Sequence, residues 1–169
     1  MKYITLITGG MRSGKSNYAE QMALSLSDSP VYLATSRIWD DEFKDRVLKH
    51  QLNRGTQWTN IEEEKVLSQQ NVNGRVVVID CVTLWSTNFF FDLGSDIEEA
   101  LNAIKTEFDL FTSQNAHFIF VTNEIGMSGV SKNDLQRKFT DLQGWVNQYI
   151  AYKADKVILM VSGIPVQIK

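Results

Sequence analysis

Gly9-Gly10-Met11-Arg12-Ser13-Gly14-Lys15-Ser16 stands between the β-branched run Tyr3-Ile4-Thr5-Leu6-Ile7-Thr8 and a segment that reads as a helix from Lys15 onward. The run has the character of a buried strand closing in a tight turn. With a strand before it and a helix after it, the glycine-rich segment fits the G-x-x-x-x-G-K-[ST] pattern of a phosphate-binding loop. Glycines let the backbone wrap around phosphates, and the helix start presents unpaired amides with a partial positive charge. Lys15 is then placed to reach the terminal phosphates. Ser16 offers its hydroxyl to Mg²⁺, a hard cation that takes oxygen ligands. Gly9, Gly10, Met11, Arg12, Ser13, Gly14, Lys15 and Ser16 are thus the first candidate nucleotide-binding positions.

Outward from this loop, strands and helices alternate. Val31-Tyr32-Leu33-Ala34 follows Pro30 as a strand, and Asp40 to Arg54 suits a helix closed by Gly55. Val76-Val77-Val78-Ile79 is continuously apolar, the pattern of a central parallel strand covered on both faces. Ser95-Asp96-Ile97-Glu98 fits a capping box with Ser95 as the cap, ahead of the helical stripe Ile97, Leu101, Ile104, Phe108 and Phe111. Phe118 to Val121 reads as a strand, Leu135 to Ala154 as a long helix and Val157 to Val161 as another strand. Gly163 and Pro165 turn the chain into a short antiparallel edge strand, Val166-Gln167-Ile168. The expected fold is one α/β domain over residues 1–169, three-layered, with a mainly parallel sheet and a C-terminal antiparallel edge strand.

Composition sets broad limits on partners. The 169 residues carry 17 Lys plus Arg against 20 Asp plus Glu, and the basic residues form no long run, so a nucleic-acid partner is not expected. No apolar stretch approaches the roughly 20 residues of a bilayer span. Arg75 to Trp85 is interrupted by Asp80, and membrane insertion is not expected. Cys81 is the one cysteine and the amino-terminal residues lack a signal-peptide core, so a cytoplasmic location is expected.

Ligands of such sheets bind beyond the carboxyl ends of the strands. This singles out Thr35-Ser36-Arg37, Asp80-Cys81-Val82-Thr83 and Thr122-Asn123-Glu124 besides the loop. Asp80 is placed either to hold Mg²⁺, directly or through water, or to cap the strand end. Glu124 suits an acid, a base or a group behind the metal ligands. His50 shares a helical face with Phe43, Arg46, Val47 and Arg54, with an arginine one turn to either side. Such neighbours attract phosphate and favour neutral imidazole, the nucleophilic form, although a histidine packed against Val47 fits the same spacing. His117 opens a strand at its amino end and reads as structural. The aromatic segment Trp85 to Phe91 suits core, lid or surface, with core or an oligomer interface favoured.

Thr8 to Ser16, Leu33-Ala34-Thr35-Ser36, Asp40-Asp41-Glu42, the stretch from Arg46 to Trp58, Val121 to Gly126 and Val161 to Ile164 form a set with near-constant spacing. From Ile4 to Lys169 the chain resembles the bifunctional adenosylcobinamide kinase/adenosylcobinamide-phosphate guanylyltransferase family. The resemblance implies a P-loop NTPase fold similar in sheet architecture to the recombinase-type proteins. It also implies phosphorylation of adenosylcobinamide with ATP or GTP, then capping of adenosylcobinamide phosphate with GMP from GTP. His50 matches the family histidine that carries the guanylyl group. Ala34, Thr35, Ser36, Gln51, Leu52, Asn53, Arg54 and Glu62 match nucleotide-contacting positions, and a homotrimer is implied. Lys49 stands where some relatives carry a second histidine, so no role passes to it. The residues taken without the resemblance also fit a monofunctional small-molecule kinase or a nucleotide-binding regulator.

Overall fold

A computed structural model describes residues 1–37 and 55–169. The segment expected as a helix from Asp40 to Arg54, with Arg46, Lys49 and His50 on it, lies outside the described residues, as do Gln51, Leu52 and Asn53. Among the described residues the chain runs β1 (Tyr3–Gly9), α1 (Lys15–Leu26), β2 (Val31–Ala34), β3 (Thr59–Glu62), β4 (Val76–Asp80), α2 (Val82–Asp92), α3 (Ile97–Phe111), β5 (His117–Val121), α4 (Asp134–Lys153), β6 (Lys156–Val161) and β7 (Ile164–Gln167).

The strands lie in the order β3-β2-β4-β5-β1-β6-β7. Every pairing is parallel except that of β6 with β7. Successive side chains of a strand point to opposite faces, and the core divides accordingly. Ile4, Leu6, Val77, Ile79, Phe118 and Phe120 pack on one face with Trp85, Phe90, Phe108 and Phe111 from α2 and α3. Ile7, Val78, Ile119 and Val121 pack on the other with Ala19 and Ala23 of α1. Helices, sheet and helices make the expected three layers. The carboxyl ends of all the parallel strands therefore share one edge, with β5 inserted between the loop strand β1 and the Asp80 strand β4.

Three local readings differ from the sequence expectation. Helix α3 is capped by Asp96, whose side chain accepts the Glu99 amide at 2.8 Å, and not by Ser95. Ser95 adopts a left-handed φ of 65° and its amide closes the end of α2 on Phe90 O, so it cannot take the extended conformation of a cap. The polar strand β3, Thr59-Asn60-Ile61-Glu62, carries no apolar run and was not expected. It is an edge strand, and Ile61 is its one residue that is not exposed. The last strand spans Ile164–Gln167, with Pro165 inside it opposite Met160, where an edge tolerates the missing donor. In the aromatic segment, Trp85, Phe89 and Phe90 are core, while Phe91 is 48% exposed.

Phe108 is fully buried between Phe120 of the sheet and Tyr149 of α4, with ring centroids 5.1 and 5.9 Å away. Phe108→Ala should lower unfolding stability by about 3–5 kcal/mol, the usual cost of an aromatic cavity. Urea unfolding followed by circular dichroism measures it, and a midpoint equal to that of the parent protein would contradict this packing.

Candidate nucleotide-binding and transfer site

The loop after β1 is shaped by close backbone contact with β6 and the turn beyond it. Gly9 has a φ of 148°, and a Cβ there would lie 2.5 Å from the Met160 carbonyl oxygen and 2.9 Å from Ser13 Oγ. Gly14 has a φ of 93°, and its Cβ would come within 3.3 Å of Gly163. The Ser13 amide donates to Gly10 O at 3.3 Å, and the Gly163 amide donates to Ser13 O at 3.0 Å. Helix α1 then begins at Lys15 with no side-chain cap and no acidic residue in its first turn. Its leading amides are left for an anion, the arrangement that suits a phosphate.

Lys15 is buried, 7% exposed, with Nζ donating to Gly10 O at 2.6 Å and lying 3.5 Å from Ser13 Oγ. Burial lowers its pKa, while the charge of Asp80 and the nearby Cys81 thiol oppose that shift. Among the described residues it makes no ion pair, so an arriving phosphate offers a counter-charge at bonding distance that these residues do not. Ser16 lies half-buried in the first turn of α1, beside the outward-facing Met11 and Arg12 of the loop.

The register of the sheet aligns Glu62, Ala34, Asp80 and Val121 in one row at the ligand edge. Asp80 Oδ2 accepts the Tyr32 hydroxyl at 2.8 Å, which orients the half-buried carboxylate without neutralising it. Thr35 is fully buried, its Oγ1 donating to Cys81 O at 2.7 Å and its carbonyl accepting Asn88 Nδ2 at 2.8 Å. It braces the floor of the edge, leaving Ala34 and Ser36 half-buried on either side and Glu62 exposed. Arg37 bonds Asp92 at 2.9 Å through both terminal nitrogens and Glu64 at 2.7 Å through Nε. These contacts raise the Arg37 pKa and hold the Asp92 carboxyl well below the usual carboxylate range. His117 opens β5 at the opposite edge of the sheet, 3.3 Å from Thr5 Oγ1, consistent with a structural role.

The sequence named Glu124 without its partners. Glu124 Oε1 accepts from Thr8 Oγ1 at 2.9 Å and from Asn147 Nδ2 at 3.2 Å. Asn147 Oδ1 in turn accepts from Thr122 Oγ1 at 2.7 Å and from Gln143 Nε2 at 2.8 Å. Asn123 donates through both its amide and its side chain to Thr83 Oγ1 at 3.1 Å. Gln143 and Asn147 lie one turn apart on α4, and polar residues at that spacing on the buried face were the available signal.

A strand, glycine loop and uncapped helix holding a buried lysine, with an aspartate at the end of a strand two places along the sheet, define a P-loop nucleotide-binding protein. Residues 5–168 match the model of the cobinamide kinase/cobinamide phosphate guanyltransferase family, and the chain belongs to that family. It is 39% identical to the bifunctional adenosylcobalamin biosynthesis protein CobU of Escherichia coli, over 97% of this chain and 98% of the relative. Identity is 32% to the bifunctional adenosylcobalamin biosynthesis protein CobP of Pseudomonas aeruginosa, over 97% and 96% of the two chains. In fold alone it is similar to the flagellar accessory protein FlaH from Methanocaldococcus jannaschii (TM-score 0.53, 14% identity, 99% of this chain and 78% of that one). A type III secretion system ATPase shares the fold likewise (TM-score 0.56, 11% identity, 94% and 51% coverage).

Cys81, adjoining Asp80, is buried, and burial together with the Asp80 charge pushes its thiol pKa up to about 12. The thiol is therefore protonated and unreactive at neutral pH. An alkylating reagent at pH 8 should leave the native protein unmodified and label one thiol per chain after denaturation. Rapid labelling of the native protein would contradict the packing beneath the site.

Proposed function

We propose that this chain phosphorylates the aminopropanol hydroxyl of adenosylcobinamide with ATP or GTP, and then transfers GMP from GTP to the product to give adenosylcobinamide-GDP. The family match from residue 5 to residue 168 supports the pair of activities. The observation that carries the nucleotide chemistry is Lys15, a buried cation in the first turn of a helix that has no side-chain cap. Backbone amides of Gly9 to Ser16 hold the phosphates, and Lys15 neutralises charge on the terminal ones as the transition state spreads it. Arg12 contributes its backbone to the cradle. Ala34, Thr35, Ser36, Gln51, Leu52, Asn53, Arg54 and Glu62 complete the nucleotide site by family likeness.

The residues present fit Mg²⁺. Asp80 has an oxygen not taken by Tyr32, and Ser16 supplies a hydroxyl beside the phosphate cradle. No cluster of three or more His, Cys, Asp or Glu occurs among the described residues, which suits an ion held largely by water and nucleotide oxygens. When bound, it draws charge from the phosphates. Asp80 and Ser16 would hold the ion, and the Tyr32 hydroxyl orients Asp80.

In the guanylyl transfer, an imidazole nitrogen of His50 attacks the α-phosphorus of GTP. The bond from that phosphorus to the bridging oxygen breaks, and pyrophosphate leaves with the electron pair. A phosphate oxygen of adenosylcobinamide phosphate then attacks the same phosphorus and the P–N bond breaks. Arg46 and Arg54 steady the phosphate charge. The assembly is a homotrimer and the location cytoplasmic, the former resting on the family likeness and the latter on composition. Among the described residues no helix is long and apolar enough to cross a membrane.

His50→Ala should abolish the covalent GMP adduct and guanylyl transfer while leaving cobinamide phosphorylation within a few-fold, since only the first pair needs a protein nucleophile. Intact-mass spectrometry after GTP and Mg²⁺ should show one acid-labile GMP per chain, mapped to the peptide containing His50. An adduct that persists in His50→Ala, or maps to Lys49 or His117, would remove His50 as the nucleophile, and no GMP adduct at all would leave a monofunctional kinase as the better reading.

A further inference from the structure

A cavity of about 700 Å³ opens beside the phosphate loop, walled by Gly10 and Met11 of the loop, Thr83 of α2, Asn123 and Glu124 after β5, and Phe139 of α4. Its position along the nucleotide follows from Lys15. The lysine of such a loop meets the terminal phosphates, and here its Nζ rests on Gly10 O, so the terminal-phosphate end of the cradle adjoins the cavity wall. Met11, 88% exposed, and Met127, 76% exposed, give the rim apolar surface beside the exposed Ser128 and Gln136. Exposed apolar surface over a polar floor suits an acceptor that carries a reactive hydroxyl on an arm of a broad body with apolar faces.

Glu124 is the only Asp or Glu among the described residues lining this cavity. Thr8 and Asn147 both bond its Oε1, and Oε2 makes no hydrogen bond among the described residues. We propose that this cavity binds the acceptor of the kinase reaction and that Glu124 takes the proton from the acceptor hydroxyl. The inference rests on the kinase reading above. As the hydroxyl oxygen forms its bond to the γ-phosphorus, the bond from that phosphorus to the bridging oxygen breaks. The nucleoside diphosphate leaves with that electron pair, and the hydroxyl proton passes to Glu124 Oε2. Thr8 and Asn147 hold the carboxylate against rotation.

The experiment measures cobinamide phosphorylation by Glu124→Gln, whose amide oxygen can keep both hydrogen bonds. The kinase kcat should fall about 10²-fold or more, with KM for cobinamide and the Mg²⁺ concentration dependence unchanged. Thr140→Trp, on the α4 wall of the same cavity, should raise KM for cobinamide at least tenfold while the Kd for GTP stays as in the parent. Circular dichroism and GTP binding establish that each variant is folded. A parental kcat in Glu124→Gln, a shifted Mg²⁺ dependence in it, or a parental KM in Thr140→Trp overturns the inference. Parent protein that phosphorylates no cobinamide overturns the functional reading and this inference with it, whereas an active parent with unaffected variants overturns the inference alone.

Discussion

The site depends on the close approach of two backbones, the loop after β1 and the β6–β7 hairpin. Where Gly9 lies, any side chain would meet the Met160 carbonyl oxygen at 2.5 Å, so the strand pair can close only around a residue without a Cβ. The Gly163 amide then fastens the hairpin to Ser13 O at 3.0 Å. A loop pinned in this way has its amides oriented before the nucleotide arrives, which lowers the ordering cost of binding and matches the demand of phosphoryl transfer for fixed dipoles. Lys15 is placed by the same contact, because the carbonyl on which it rests belongs to Gly10 of that loop.

Parallel pairing does the remaining assembly. Since β1, β2, β4 and β5 run in one direction, residues separated by long stretches of chain finish in one row, and the insertion of β5 between β1 and β4 puts Glu124 between the loop and Asp80. The two carboxylates receive different treatment. Asp80 is steered by a tyrosine hydroxyl from the neighbouring strand, whereas Glu124 is held by a threonine from the loop strand and an asparagine from α4. One carboxylate thus lies where the loop lysine feels its charge, and the other lines the cavity beside the loop. Such a division assigns separate work to donor and acceptor halves of one edge.

Much of this was legible in the sequence, for identifiable reasons. The glycine loop is a local pattern, and the buried strands announce themselves as apolar runs because both faces of a parallel sheet are covered. Edge strand β3 escaped notice because Thr59, Asn60 and Glu62 face solvent and leave no such run. The cap of α3 was misplaced by one residue because Ser95 and Asp96 are both good caps, and the choice depends on how α2 ends, with Ser95 bonded back to Phe90 O. Asp80 and Glu124 could be singled out by position, but the Tyr32, Thr8 and Asn147 contacts join residues 48, 116 and 23 positions apart and have no local signature. The role proposed for His50 rests on likeness to a family and not on its flanking arginines, whose spacing fits packing equally well.

The central claim is that one phosphate loop, pinned against the β6–β7 hairpin, receives the triphosphate with Lys15 at its terminal end. A crystal structure with Mg²⁺ and a non-hydrolysable GTP analogue tests it most directly. The expected result is a triphosphate cradled by the amides of residues 10–16, Lys15 Nζ moved from Gly10 O onto the terminal phosphates, and the ion between Ser16 and Asp80. A triphosphate bound elsewhere, with Lys15 still on Gly10 O, would contradict the account.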